Sequence, residues 1–334
     1  MVLVAFFWFV VWGLGSAVLW FLGWILTTFI QGPDAASDLT IKWFFAFDGI
    51  LAGAAGYGTI FFLCFERSIL LTALRSVIDV PPSLQEEFEQ RMRLFSPWWR
   101  PLAVAVLLTG IGGFIAYGAG IPLKGFSHRY LTAMVISFYF VGAYGLMFIV
   151  GVLNLFRFID KHSDSASDVR IRLKAPFISQ AVQTIDLFLV VSSGMCVFAV
   201  YVCFRGTLTA FAAAPPAFYK ALIIPVFFYL PASLVYSFYP RHVLRQIWEN
   251  DTFAAIEHFA DETRMNLVSD LKATLELRKL ILDVKEKMIA ERRMLPILSL
   301  KDAPTLTMAL LMAIQLVAQK DPIVAVFLGL GGGK

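Results

Sequence analysis

Charged side chains inside long apolar stretches are the first places to look for chemistry in this chain. Asp48 follows Phe44, Phe45 and Phe47 near the start of one such stretch. An ionised carboxylate facing lipid there is costly, so Asp48 is expected to face a protein interior or a wet cavity. Arg205 stands near the end of another stretch, at a matching predicted depth. An intramembrane polar pair between Asp48 and Arg205 is the expected arrangement, and proton or ion handling by Asp48 is the functional alternative. Asp186 lies near the start of the stretch that ends with Arg205, with Gln183, Ser192 and Ser193 close in sequence. That group reads either as an interfacial cluster or as a pore-lining polar strip. Pro225 and Pro231 interrupt the last apolar stretch. Proline removes a ladder hydrogen bond and bends a helix, which suits either gating or packing.

Other chemistries lack their residues. Cys64, Cys196 and Cys203 are scattered through apolar sequence and make neither a metal spacing nor a disulfide framework. They read as small packing residues. His128, His162, His242 and His258 are dispersed, without His-x3-His or HExxH spacing. No GxSxG and no Walker A loop occurs, and the final Gly331-Gly332-Gly333-Lys334 is a tail rather than a phosphate cradle. Gly56-Tyr57-Gly58 invites comparison with a potassium filter, but Ala54-Ala55 precede it and Tyr-Gly recurs at Tyr117-Gly118 and Tyr144-Gly145. The series Gly49, Gly53, Ala54, Gly56, Gly58 reads as a close-packing helix face. No catalytic, cofactor-binding or metal-binding residue is expected, and the chain does not read as an enzyme.

The elements that must hold these residues are long helices. The chain has 334 residues, 59% hydrophobic and only 16% charged, against ~25% charged in an ordinary soluble protein. A hydrocarbon core about 30 Å thick takes ~20 apolar residues at 1.5 Å rise each. Six segments meet that test: about 3–30, 41–65, 101–122, 131–156, 182–210 and 219–239. The first has no Lys or Arg ahead of it and exceeds the length of a signal-peptide core. With Trp8, Trp12, Trp20 and Trp24 it reads as a retained, aromatic-anchored helix.

The segments pair into three hairpins with short outer loops. Arg67, Arg75, Arg91, Arg93 and Arg100 fill one connector, and Arg157, Lys161, Arg170, Arg172 and Lys174 fill another. The positive-inside rule then puts both connectors and both termini in the cytoplasm. These basic residues are those that flank membrane helices, so nucleic-acid binding is not implied by the net charge of +4. The exits at Arg67, Arg157 and Arg241 recur at similar spacing, which fits either three repeated two-helix units or the positive-inside rule acting alone.

The connectors about 66–100 and 157–181 differ. The first begins as an amphipathic extension through Ile69, Leu70, Leu74, Val77 and Ile78, stops at Pro81-Pro82, and restarts at Ser83 as a charged helix over about 83–95. The second, around Ser163 to Asp168, is small and polar and reads as a loop. After residue 240 the charge density rises. A long amphipathic helix is expected over about 243–295, carrying Phe253, Ile256, Phe259, Leu267, Leu271, Leu275, Ile281, Val284 and Met288. One chain cannot bury so long a stripe, so these residues are expected to contact a neighbour. Pro296 ends it, and an apolar helix over about 304–319 follows.

The expected fold is therefore all-α. A six-helix transmembrane domain over 1–240 comes first, and a cytoplasmic helical domain over 241–334 follows. The expected partners are the lipid bilayer and either further copies of the chain or a cytoplasmic protein. The leading functional expectation is an oligomeric pore or channel-like protein, assembled or gated by its cytoplasmic helices. A non-conducting scaffold that docks a cytoplasmic partner is the alternative, and a secondary transporter is the third reading. A bacterial inner membrane is the expected location.

Overall fold

The computed structural model describes residues 1–31, 43–95, 126–163, 171–174, 180–210, 229–251 and 300–318, with a few isolated positions within 103–111 and 254–286. These residues are almost entirely helical. Helix α1 spans Val2–Gln31 and contains no charged residue. Helix α2 spans Trp43–Val77 and runs past its apolar stretch without a break. The amphipathic extension belongs to it, because Leu70, Leu74 and Val77 continue one buried face. Pro81 and Pro82 end that continuation, since neither can supply a helical N–H.

Helix α3 spans Pro82–Phe95. It starts one residue ahead of Ser83, with a proline in its first turn, where a missing N–H costs nothing. Its buried face is Phe88 and Met92, one turn apart. Helix α4 spans Phe126–His162 and α5 spans Gln180–Ala210. Helix α6 covers 229–251 and passes through Pro231 and Pro240 without leaving helical form. Over 229–251 the end of the sixth apolar segment and the start of the charged one form a single helix. A single 3-10 turn over Leu300–Asp302 leads into α7, Ala303–Ala318.

Two short strands interrupt the helical picture. Strand β1, Ile78–Asp79, pairs antiparallel with β2, Arg172–Leu173, in the register Ile78↔Leu173 and Asp79↔Arg172. The prolines that stop α2 leave its last backbone groups unpaired, and the second connector supplies partners. Lys174 N–H also donates to the Val77 carbonyl at 2.7 Å.

Helix α2 is the centre of the bundle, packed along both α1 and α5 and also against α4. Phe62 of α2 stacks on Phe188 of α5 with ring centroids 5.6 Å apart, and Phe148 of α4 lies beside both Phe188 and Tyr236 of α6. Phe62, Phe188 and Tyr236 are fully enclosed. Gly56-Tyr57-Gly58 lies inside α2, where it lets α1 approach. A Cβ on Gly58 would sit 3.3 Å from the Phe9 Cα. Among the described residues, two helical stretches are long and apolar enough to cross a membrane: Phe140–His162 and Gln180–Val202. The segment over 101–122 lies outside the described residues apart from isolated helical positions.

Candidate functional site: a buried ionic cluster

The ends of α2, α4 and α6 and the start of α5 meet at one end of the bundle, here called the base. Arg241 of α6 is the centre of its chemistry. The side chain is only 2% exposed, yet it carries a full positive charge. Its Nη1 donates to Asp302 Oδ2 at 2.7 Å, and Asp302 is 1% exposed. Its Nε lies 3.0 Å from Asp186 Oδ1, and the other Asp186 oxygen accepts from Lys301 Nζ at 3.1 Å. The Nε–H does not aim at Asp186, so that contact is electrostatic rather than a hydrogen bond, and among the described residues Nη2 is buried without a hydrogen-bond partner. Ser237, one turn before Arg241, donates to Asp302 Oδ1 at 3.4 Å. Among the described residues the cluster joins two cations to two carboxylates.

Each member is placed by local structure. Asp186 sits in the second turn of α5, ahead of the charge-free part of that helix. Asp302 immediately precedes α7, at the N-cap position, where the helix dipole favours a carboxylate. Pro304 occupies the first turn, where its lack of an N–H is harmless. Arg241 is held by the continuity of α6 through Pro240, with Val243 and Leu244 buried beside it. Isolated charges do not survive such burial, so pairing is obligatory here.

The rest of the base is tied by side chains to backbone and by one strand pair. Tyr239 Oη donates to Asp160 Oδ2 at 2.8 Å, joining α6 to α4. Leu173 N–H donates to Asp251 Oδ2 at 2.8 Å, joining β2 to the end of α6. Lys174 Nζ donates to the Arg75 carbonyl at 3.0 Å. On the outside, Arg75 of α2 pairs with Glu89 of α3, and Arg91 pairs with Glu87 within α3. Arg91 also lies over the Phe158 ring, 4.8 Å from its centroid. The Arg91 hydrogen bond holds the Glu87 carboxyl below the usual carboxylate range.

Above the base, hydroxyl groups replace charges. Ser192 Oγ donates to the Phe188 carbonyl at 2.6 Å and lies 2.7 Å from Tyr236 Oη. Ser193 Oγ donates to the Ser233 carbonyl at 3.1 Å. Both serines are completely buried between α5 and α6. Cys64 Sγ and Tyr144 Oη meet at 2.6 Å between α2 and α4. The Tyr229 hydroxyl crowds Gly145, where a Cβ would overlap it. Among the described residues no group of His, Cys, Asp and Glu could hold a metal ion.

Of the residues singled out from sequence, the structure places Asp186 in the ionic cluster and Pro231 on an exposed face of α6. The backbones of Asp48 and Arg205 are helical, in α2 and α5, and their side chains lie outside the described residues. Pro225 lies outside them too, as do Phe253, Ile256, Phe259, Leu267, Leu271, Leu275, Ile281, Val284 and Met288. Sequence reasoning read Arg241 only as an exit charge and missed Lys301 and Asp302. Their signal was present: two charges directly ahead of a charge-free apolar helix. Comparison with known proteins finds no matching family model, no matching curated protein and no matching solved structure.

Proposed function

We propose that this chain is a multi-pass membrane protein with its base in the cytoplasm, and that copies of it form a channel-like pore governed from that base. Six crossings, in three hairpins, and a bacterial inner membrane belong to this reading. The supporting observation is α6. It runs without interruption from the enclosed Tyr229, Ser233 and Tyr236 through the paired Arg241 to Asp251 at the base. A rigid helix of this kind converts a displacement at the base into a displacement between α4, α5 and α6. The centre of the single chain is filled by Phe62, Phe148, Phe188 and Tyr236, so the conducting path belongs between chains.

The test is reconstitution of the full chain in liposomes, with ion flux and assembly mass measured on the same preparation. The expected result is flux carried by an assembly of several copies. A strictly monomeric protein with silent liposomes overturns the proposal. The same filled centre favours a second reading, a scaffold that docks a cytoplasmic protein and conducts nothing. Leu280 and Leu282 are exposed in the tail. Leu280→Glu with Leu282→Glu should then abolish co-purification of a partner while the membrane bundle stays folded.

A further inference from the structure

Helix α7 lies after the charged tail, yet it does not pack like part of a cytoplasmic domain. Lys301 meets Asp186 in the second turn of α5. Thr305, one turn later, faces Gly194, where an added Cβ would lie 3.3 Å from Thr305 Oγ1. Met308 then packs against the bundle core and Ala309 is buried. These contacts run in order along α5, so α7 travels with it in the same direction. Gly194 lies well inside Gln180–Val202, one of the two stretches apolar enough to cross a membrane.

The opposite face of α7 has a matching chemistry. Leu306, Leu310 and Leu311 point outward, and Leu310 is 61% exposed. The helix holds sixteen residues without a single charge. Among the described residues, the ionised groups near it, Lys301, Asp302, Arg241 and Asp186, gather at its beginning, and in the sequence the next charges, Lys320 and Asp321, come only after its end. An apolar outward face beside the middle of an apolar helix, with charges kept outside the helix itself, is the pattern of a helix solvated by lipid. Water on that face would expose a row of leucines for no gain.

We infer that α7 re-enters the bilayer from the base, its Leu306–Leu310–Leu311 face covered by lipid acyl chains, and that the Arg241–Asp302 pair clamps it there. At about 24 Å it is shorter than the hydrocarbon layer of about 30 Å, so the clamp at its start fixes how deep it sits. The inference rests on the membrane reading of the bundle and is independent of whether the protein conducts.

The test uses single cysteines in the full chain, after Cys64, Cys196 and Cys203 are replaced by Ala, in native membranes. Leu310→Cys should react with a water-soluble maleimide at least tenfold more slowly than Gln90→Cys on α3. It should match Val150→Cys on α4. Asp302→Asn should raise the Leu310→Cys rate towards that of Gln90→Cys. If Val150→Cys also reacts fast, the membrane reading fails; if Val150→Cys is protected and Leu310→Cys is not, α7 insertion fails. An unchanged Leu310→Cys rate in Asp302→Asn overturns the clamp. A lipid carrying a diazirine in its acyl chain makes the second measurement, on the unsubstituted protein. Labelling of Leu306, Leu310 or Leu311 supports the inference. An unlabelled α7 on a chain labelled elsewhere overturns it, because the face is then covered by protein or water.

Discussion

The same two helices, α5 and α6, are joined in two chemically different ways only a few turns apart. At the base they meet through Asp186 and Arg241, with Asp302 and Lys301 joined to them. Nearer the centre they meet through Ser192 with Tyr236 and Ser193 with the Ser233 carbonyl. The difference lies in what each join leaves behind when it opens. A hydroxyl can fall back on its own helix, as Ser192 already does by donating to the Phe188 carbonyl. A guanidinium has no such retreat. Its partners are on other elements, and one of them, Asp302, comes from the far end of the chain. The serine join is tolerant, and the arginine join is all-or-none.

This contrast is broken most severely by removing one buried charge. Asp302→Ala leaves Arg241 enclosed with, among the described residues, Asp186 alone in reach. It should cost about 3–5 kcal/mol, the range for breaking a buried pair from one side. The loss should appear as a lower midpoint in thermal unfolding of the detergent-solubilised protein. Replacing Arg241 and Asp302 together by Met and Leu should cost much less, because no orphaned charge remains. If the double replacement is as harmful as Asp302→Ala, the join is a matter of shape rather than charge.

A smaller effect is expected from steric conflict in the centre. Gly145→Ala puts a Cβ against the Tyr229 hydroxyl. Overpacking of this kind costs about 1–3 kcal/mol, and Tyr229→Phe should recover only part of it, because the ring Cζ would still lie 2.9 Å from the added Cβ. Thermal midpoints of the two single variants and the double variant measure the coupling. Smaller still is Tyr236→Phe, which opens the serine join. Interhelical hydrogen bonds of this class average ~0.6 kcal/mol in apolar bundles, so the midpoint should move only slightly.

The exposed pair on α3 marks the lower end of the series. Glu87→Gln should leave the thermal midpoint unchanged at neutral pH. The sign of its pH dependence follows from the lowered carboxyl. Any contribution is complete above the ordinary carboxylate range and is lost as pH falls through the lowered folded value. A clear loss of stability in Glu87→Gln would mean that this pair is structural in a way the base cluster is not.

How much of this could be read from sequence differs between the two joins. Helices were legible wherever apolar length forced them. The starts and ends of α1 and α5 fall close to the expected ones, because charge and turn residues mark those ends, whereas α4, Phe126–His162, overruns the expected 131–156 by more than a turn at each end. The extension of α2 to Val77 and its stop at Pro81-Pro82 were legible for the same reason. The continuity of α6 through Pro240 was legible as a route from the last apolar segment through Arg241 into the charged one, although a proline at that place looks like a boundary. Tertiary packing of Tyr236, Val243 and Leu244 overrides that local preference. The β1–β2 ladder was invisible, since two residues per strand carry no periodicity. The ionic cluster was half legible. Asp186 stood out as a charge at the edge of an apolar helix. Its union with Asp302 depends on a chain return that no local pattern encodes.

That return also sets an order of assembly in time. Arg241 and Asp302 are 61 positions apart in the chain. At about 5–20 residues per second of synthesis, some ~3–12 s pass before the second carboxylate exists. During that interval, among the described residues, Arg241 has Asp186 alone to answer it, and the α5 surface around Gly194 waits without α7. Asp302 and the α7 contacts of Met308 and Ala309 then arrive together, so the charge pair and the apolar cover over Gly194 form in one step.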